Sequence, residues 1–191
     1  MTQDTPPQSL KLSKSVVLVG LMGAGKTCIG IRLAAKLGLP FVDADTEIER
    51  AAGCSVSDIF ELYGESAFRE GERRVIARLL KDPVQVLATG GGAFMDSATR
   101  QEISDRAISV WLRADLNLLV SRTGRRADRP LLQDGNRREI LARLIKERHP
   151  IYAQADVVID SARESPEVTV DRLIGALERL TRESAETSAI S

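Results

Sequence analysis

Cysteine is rare in this 191-residue chain, which has only Cys28 and Cys54. Their placement lacks metal-ligand spacing, and two are far too few for a secreted disulfide scaffold, so free thiols in a reducing compartment are expected. The commonest use of such a residue, a small buried hydrophobe, is expected of both. A charge excess of one sign is also missing. Lys plus Arg and Asp plus Glu each total 27, which removes the electrostatic footprint of a nucleic-acid binder, and no nucleic-acid partner is expected. No run approaches the roughly 20 apolar residues of a membrane span. Met1 to Lys14, polar and carrying Pro6-Pro7, does not resemble a signal peptide. A cytoplasmic protein with no membrane partner is therefore expected. There is no internal repeat, and the length suits one well-buried domain. No long apolar face is left over once sheet and helices are packed, so a monomer is expected. His149, the single histidine, precedes Pro150 with no partner pattern and draws no catalytic role.

What is present is an alternation. Ser15 to Val19 (SVVLV) is an apolar, β-branched run of the kind buried on both faces of a sheet, and it leads directly into a glycine-rich turn. Lys26 to Leu37 then repeats apolar residues at helical spacing before Gly38 and Pro40 stop it. Further strands are predicted at Phe41-Val42, Val84 to Ala88, Ala107 to Leu112 and Val157 to Ile159. Helical patterns lie between them, which predicts a doubly wound α/β fold with a mostly parallel sheet and right-handed crossovers. Ser55-Val56-Ser57-Asp58 has the form of a helix start, Tyr63-Gly64 closes that short helix, and Glu65 to Leu80 forms a longer one. A helix is predicted from Asn136 to Glu147, and a last one from Pro166, behind Ser165, to about Leu180, with a stripe of Val170, Leu173, Ile174, Leu177 and Leu180. The expected boundaries are a flexible tail over 1–14, one domain over 15–181 and a second tail over 182–191.

Gly20-Leu21-Met22-Gly23-Ala24-Gly25-Lys26-Thr27 matches G-x-x-x-x-G-K-[ST], after a buried strand and opening a helix. There the glycines let backbone N–H groups face phosphate oxygens, the helix N-terminus adds partial positive charge, and Lys26 can reach the β and γ phosphates. Nucleotide binding follows, with the Thr27 hydroxyl available to Mg²⁺. A carboxylate for that metal is expected at the end of another apolar strand. The run Val84 to Ala88 ends instead in Thr89-Gly90-Gly91-Gly92, which brings backbone rather than charge to a ligand. Two acids do follow strand two, Asp43 and Asp45. If that strand continued, both side chains would leave on the same side, with Asp43 near Mg²⁺ and Asp45 toward an acceptor hydroxyl. The competing use of Asp45 is as the cap of a helix starting at Thr46.

Arginines stand in unusual places. The apolar face of the helix after Asn136 runs Leu141, Leu144, Ile145 and then Arg148, so Arg148 either snorkels to solvent or meets an anion in a cleft. Arg69 either forms a surface pair with Glu72 or faces a ligand. Arg122, Arg125, Arg126 and Arg129 gather around Gly124, Pro130 and Gly135, in the manner of a solvated loop or of a lid that carries an arginine onto phosphate.

Together GLMGAGKT, DADTEIE, Phe68 to Glu72 (FREGE), TGGG, RPLL from Arg129 and RHPIY from Arg148 resemble the shikimate kinase family, in order and spacing from about Val16 to Val158. The resemblance implies Mg²⁺-dependent transfer of the ATP γ-phosphoryl group to the 3-hydroxyl of shikimate, in aromatic amino-acid biosynthesis. It implies a P-loop NTPase-type three-layer α/β/α fold like that of nucleoside monophosphate kinases. Its five-stranded parallel sheet would have the order 2-3-1-4-5, with a substrate-binding insertion over about 44–80 and a lid over about 122–135. Nucleotide contacts would fall on Gly23, Ala24, Gly25, Lys26, Thr27, Cys28, Arg122 and Arg129, with Arg122 by the adenine. Asp45, Arg69, Gly91, Gly92 and Arg148 would hold shikimate, the two arginines clamping its carboxylate. Catalytic roles would fall on Lys26, Asp45 and Arg129, with Thr27 and Asp43 serving the metal. The stretch after Tyr152 reaches Ala155-Asp156 about one residue early, which keeps Ser161 to Ser165 out of the expected site. A gluconate kinase is the nearest alternative, sharing the loop and lid but having no need of the arginine pair.

Overall fold

The computed structural model describes residues 10–124 and 136–189. Five parallel strands form one sheet: β1 (Ser15–Val19), β2 (Phe41–Asp43), β3 (Val86–Ala88), β4 (Ala107–Ala114) and β5 (Val157–Ser161), in the order β2-β3-β1-β4-β5. All five residues of β1 are buried, as its unbroken apolar composition requires of a central strand covered on both faces. The register sets the position of everything functional. Ala88 is the partner of both Leu18 on β1 and Asp43 on β2, so the segments that follow these three strands leave one edge of the sheet side by side.

Helices α1 (Lys26–Leu37) and α7 (Pro166–Ala189) pack against each other, α4 (Ser97–Arg106) lies against β4, and α5 (Leu116–Thr123) pairs with α6 (Arg137–Tyr152). Leu33 of α1 and Val170, Leu173 and Leu177 of α7 are fully buried, each removal from water worth roughly 1.5–3 kcal/mol. Between β2 and β3 lie α2 (Ala44–Ala52) and α3 (Val56–Leu79), the insertion expected there. Ser55 caps α3 as its sequence predicts: its hydroxyl accepts from Asp58 N at 3.1 Å, and the Asp58 carboxylate accepts from Ser55 N at 3.1 Å. Among the described residues no helix is long and apolar enough to cross a membrane.

Four expectations need correction. Cys28 is exposed and Cys54 half-buried, because Cys28 falls on the first turn of α1, where the chain faces a cavity rather than the core. Strand β2 stops at Asp43, so the acids are not alternate residues of one strand; Asp43 is the N-cap of α2 and Asp45 lies in its first turn. Helix α6 runs through Pro150 to Tyr152 instead of ending at Glu147. The last turn is held by buried Tyr152, whose ring lies 5.8 Å from that of Trp111, and this packing outweighs the proline's missing N–H. Helix α7 likewise continues to Ala189, past the predicted end near Leu180. At the other end Leu10 and Leu12, within the expected tail, pack against the core.

Gly64 divides α3, with φ 80° and ψ 169°, a region that side-chain-bearing residues avoid. Gly71 lies further along the same helix, and a Cβ on either residue would meet nothing within 4 Å. The two alanine substitutions therefore separate backbone strain from steric fit. Gly64→Ala is expected to lower the free energy of unfolding by about 1–3 kcal/mol, and Gly71→Ala to raise it by about 0.5–1 kcal/mol. Urea melts of both variants provide the check, and effects of the same sign would contradict this account of the kink.

Candidate active site

The turn from β1 into α1 reverses through three glycines with positive φ, Gly20, Gly23 and Gly25. Gly25 is the N-cap of α1 and supplies no side-chain hydrogen bond to the first turn, which leaves the helix N-terminus as a donor surface for an anion. Lys26 Nζ donates to the carbonyls of Gly20 at 2.6 Å and Leu21 at 3.0 Å, so its ammonium is drawn back over the loop. Ala24 is the exception among the described residues expected to contact nucleotide. It is buried, its N–H donates to Leu21 O at 3.1 Å, and its carbonyl accepts from Arg122 and Ser161.

Asp43 links this loop to the next. One of its oxygens accepts from the Thr27 hydroxyl at 3.0 Å and the other accepts from Asp45 N at 3.1 Å, capping α2. A hydroxyl beside a carboxylate at the phosphate loop is a hard-oxygen donor set of the kind Mg²⁺ uses alongside phosphate and water. Three-ligand clusters of His, Cys, Asp or Glu do not occur among the described residues, and a Mg²⁺ completed by phosphates and water needs none.

The Gly90–Gly92 segment follows β3 and is tied to β1 at its start, where Thr89 Oγ1 donates to Leu18 O at 3.0 Å. Each glycine abuts a different neighbour. A Cβ on Gly90 would lie 2.7 Å from Glu72 Oε1 and 2.9 Å from Asp45 Oδ1. Gly91 packs on the phosphate loop, where a Cβ would stand 3.4 Å from Met22 N and 3.6 Å from Gly20 O. Gly92 underlies the Arg69 guanidinium so closely that a Cβ would overlap it. From α6, Arg148 reaches the same segment and donates to Gly91 O at 2.8 Å. Arg148 thus turns inward, and the snorkelling alternative does not hold.

The pair of Arg69 and Glu72 is present, with Nη1 2.7 Å from Oε2, but it is not a surface pair, since Glu72 is 2% exposed. Burial raises the Glu72 carboxyl above its ordinary range against the pull of Arg69, and nearby Asp45 adds to the rise. Burial also opposes the charge on Arg69, but Glu72 and then Glu65 outweigh it and hold the guanidinium charged. Glu72 Oε1 has no hydrogen-bond partner despite its burial.

Arg122 ties the far side together. It donates to Ala24 O at 3.2 Å, to the Ser161 hydroxyl at 2.9 Å and to Ala162 O at 3.1 Å. Ser161 is thus joined to the phosphate loop although its sequence context kept it out of the expected site. A cavity of about 760 Å³ is lined by Gly23, Gly25, Lys26, Thr27, Cys28, Asp43, Asp45, Arg69, Gly91, Gly92, Arg122 and Arg148. Every described residue expected in the site lines it except Ala24, and Glu72 lines it in addition. Arg129, with most of the expected lid, lies outside the described residues. Glu72 stood in the quoted FREGE motif with no role; the signal that could have found it is its place one helical turn from Arg69, on the buried face.

A family model for shikimate kinase matches residues 22–178. The shikimate kinase of Paramagnetospirillum magneticum is 58% identical over 172 residues, covering 90% of this chain and 88% of that protein. Among solved structures, the shikimate kinase from Acinetobacter baumannii in complex with shikimate superposes with a TM-score of 0.84 at 38% identity, over 87% of this chain and 93% of that one. A gluconokinase from Sinorhizobium meliloti reaches a TM-score of 0.59 at 18% identity, over 94% of this chain and 99% of that one, a likeness of fold alone.

The raised Glu72 pKa carries a sign for stability. A folded-state pKa above the unfolded one means that the proton stabilises the fold fully below the unfolded value, and that this contribution is lost as pH rises through the folded value. Glu72→Gln keeps the side chain's size but cannot ionise. The unfolding free energy of the parent minus that of the variant is expected to be flat below the ordinary value of 4.5 and to fall as pH rises above it. Urea melts across a pH series test this, and a difference that grows with pH would refute it.

Proposed function

The chain belongs to the shikimate kinase family, and from that premise we propose how its cleft carries the γ-phosphoryl group of ATP to the 3-hydroxyl of shikimate. The observation that carries the reading is that Asp45 shares a single cavity with the phosphate loop and with two inward arginines from different helices, Arg69 and Arg148. A nucleotide-binding module needs the loop alone. A kinase for a hydroxylated carboxylic acid needs the acidic group beside the acceptor hydroxyl and cationic groups for the acid's carboxylate.

Phosphoryl transfer asks for placement and charge stabilisation more than for covalent chemistry. The N-terminus of α1 and the Lys26 ammonium receive the β and γ phosphates. Asp45, in the first turn of α2, accepts a hydrogen bond from the attacking hydroxyl, orienting it and taking its proton as the new bond to the γ phosphorus forms and the bond from that phosphorus to the bridging oxygen breaks, releasing ADP. Arg69 and Arg148 hold the carboxylate from two sides of the Gly90–Gly92 segment, whose backbone adds contacts at Gly91 and Gly92. Arg122, bonded to the loop and to the segment after β5, forms part of the wall beside the adenine, and Arg129 reaches the transferring phosphate. The divalent ion is Mg²⁺, for which Thr27 and Asp43 are the fitting oxygens; when bound it neutralises charge on the phosphate oxygens. Gluconate, flexible and acyclic, gives the rigid pair of arginines no fixed distance to match.

The first test is ADP release from Mg²⁺-ATP with shikimate, gluconate, glycerate or no acceptor. Shikimate alone is expected to accelerate turnover by orders of magnitude, and equal rates with gluconate would overturn the acceptor assignment. Asp45→Asn is expected to retain ATP binding while kcat falls about 10²–10⁴-fold, whereas Lys26→Ala loses both nucleotide affinity and rate. A fully active Asp45→Asn enzyme would remove Asp45 from its role. Arg148→Ala should act chiefly on the Michaelis constant for shikimate, by the equivalent of about 2–5 kcal/mol. An unchanged constant would show that the acid's carboxylate binds elsewhere.

A further inference from the structure

Tyr152 has no part in the roles assigned so far, yet it is fully buried at the inner side of the acceptor end. It stands four residues after Arg148 on α6 and therefore on the same helix face. Its ring lies against Trp111, at 5.8 Å between centroids, and Phe94, at 6.3 Å. Its hydroxyl donates to the carbonyl of Gly91, the same oxygen that accepts from Arg148 Nη1 at 2.8 Å. Two donors from one helix thus occupy the two lone pairs of one carbonyl.

That carbonyl belongs to a stretch of backbone that carries no side chains of its own. Three successive glycines offer no side chain by which a neighbour could hold them. The segment is tied at its start by Thr89 to Leu18 O and at its end by Ala93 N to Gly90 O at 3.2 Å and Met95 N to Gly92 O at 3.0 Å, and the carbonyl between these, that of Gly91, is held from α6. In a planar trans peptide the N–H of Gly92 leaves from the edge opposite the Gly91 carbonyl, so pulling the oxygen toward α6 turns that N–H away from it. The same bond restrains the Arg148 guanidinium, because one of its N–H groups is committed to Gly91.

We propose that Tyr152 is a positioning residue for the acceptor: its hydroxyl, acting with Arg148, fixes the plane of the Gly91–Gly92 peptide and so aims both the Gly92 N–H and the Arg148 guanidinium at the acceptor's carboxylate. This deepens the shikimate reading and rests on it. Tyr152 itself does not touch the substrate. Burial pushes its phenol up to about 12, so it remains a hydrogen-bond donor throughout the neutral range in which turnover is measured.

The test is Tyr152→Phe, which keeps the ring and its packing and removes only the donor. The Michaelis constant for shikimate is expected to rise about ten-fold, as befits loss of one hydrogen bond to a buried acceptor, while that for ATP stays within about two-fold. In an Arg148→Ala background the same change is expected to have a much smaller effect, because both residues act through one carbonyl. A shikimate constant unchanged in Tyr152→Phe, or a parallel rise for ATP and shikimate, would overturn the proposal. Trp111→Phe, which loosens the ring's packing and spares the hydroxyl, guards against a folding artefact: if it raises the shikimate constant as much, packing is responsible and the proposal fails. A parent enzyme that does not phosphorylate shikimate would instead sink the reading on which the proposal rests.

Discussion

The rest of the site depends on a close approach of two backbones. Gly91, in the segment after β3, lies against Gly20 and Met22 of the phosphate loop, where a Cβ would stand in van der Waals contact with both. The register of the sheet makes this possible, because β1 and β3 are neighbours whose last paired residues are Leu18 and Ala88. The consequence is a short path between the two substrates. Whatever binds over the triple glycine stands next to whatever binds at the N-terminus of α1, and a phosphoryl group need only cross that seam.

Charge is then arranged around the seam. The phosphate side carries Lys26 and Arg122, with Asp43 bonded to Thr27. The acceptor side carries two carboxylates, Asp45 and Glu72, converging on Gly90, and two guanidinium groups at Gly91 and Gly92. Glu72 loses its hydration on burial and, to a smaller degree, is repelled by Asp45, which is why its carboxyl is pushed above its ordinary range even with Arg69 at 2.7 Å. The arrangement is tolerable because the arginines are already committed: Arg69 to Glu72 and Glu65, Arg148 to the Gly91 carbonyl. On the proposed reading, a carboxylate arriving from solution would meet guanidinium groups whose direction is fixed beforehand, which lowers the entropic cost of holding it.

Much of this was legible one residue at a time. An apolar run without alternation marks a central strand, a glycine loop ending in Lys-Thr marks a turn from strand into helix, and Ser55 with Asp58 marks a helix start; each signal is local, and each element lies where the pattern puts it. The misreadings share a different origin. Asp43 and Asp45 were placed by strand periodicity, but the strand had ended, and the acid that caps the helix is Asp43. The helix expected to end at Glu147 runs on through Pro150 to Tyr152, which is buried against Trp111. Cys28 was assigned to the core by base rate, whereas its place on the first turn of α1 puts it on the cavity wall.

The sequence by itself determined the order of strands and helices, the phosphate loop, and the presence of an acid pair and two misplaced arginines, because hydrophobic period, turn chemistry and short motifs act within a few residues of the chain. Only the tertiary structure decided which groups share the cavity and in what state. Glu72 and Arg69 read alone as a surface pair; Glu72 is buried and Arg69 half-buried, on a helix that packs against α2, α4 and the turn Ala93–Met95. Tyr152 and Gly91 are 61 residues apart, as Arg122 and Ser161 are 39, and no local pattern encodes either contact. Burial and long-range hydrogen bonding depend on the packing of the whole chain, and at this site they set both the protonation of Glu72 and the plane of the Gly91–Gly92 peptide.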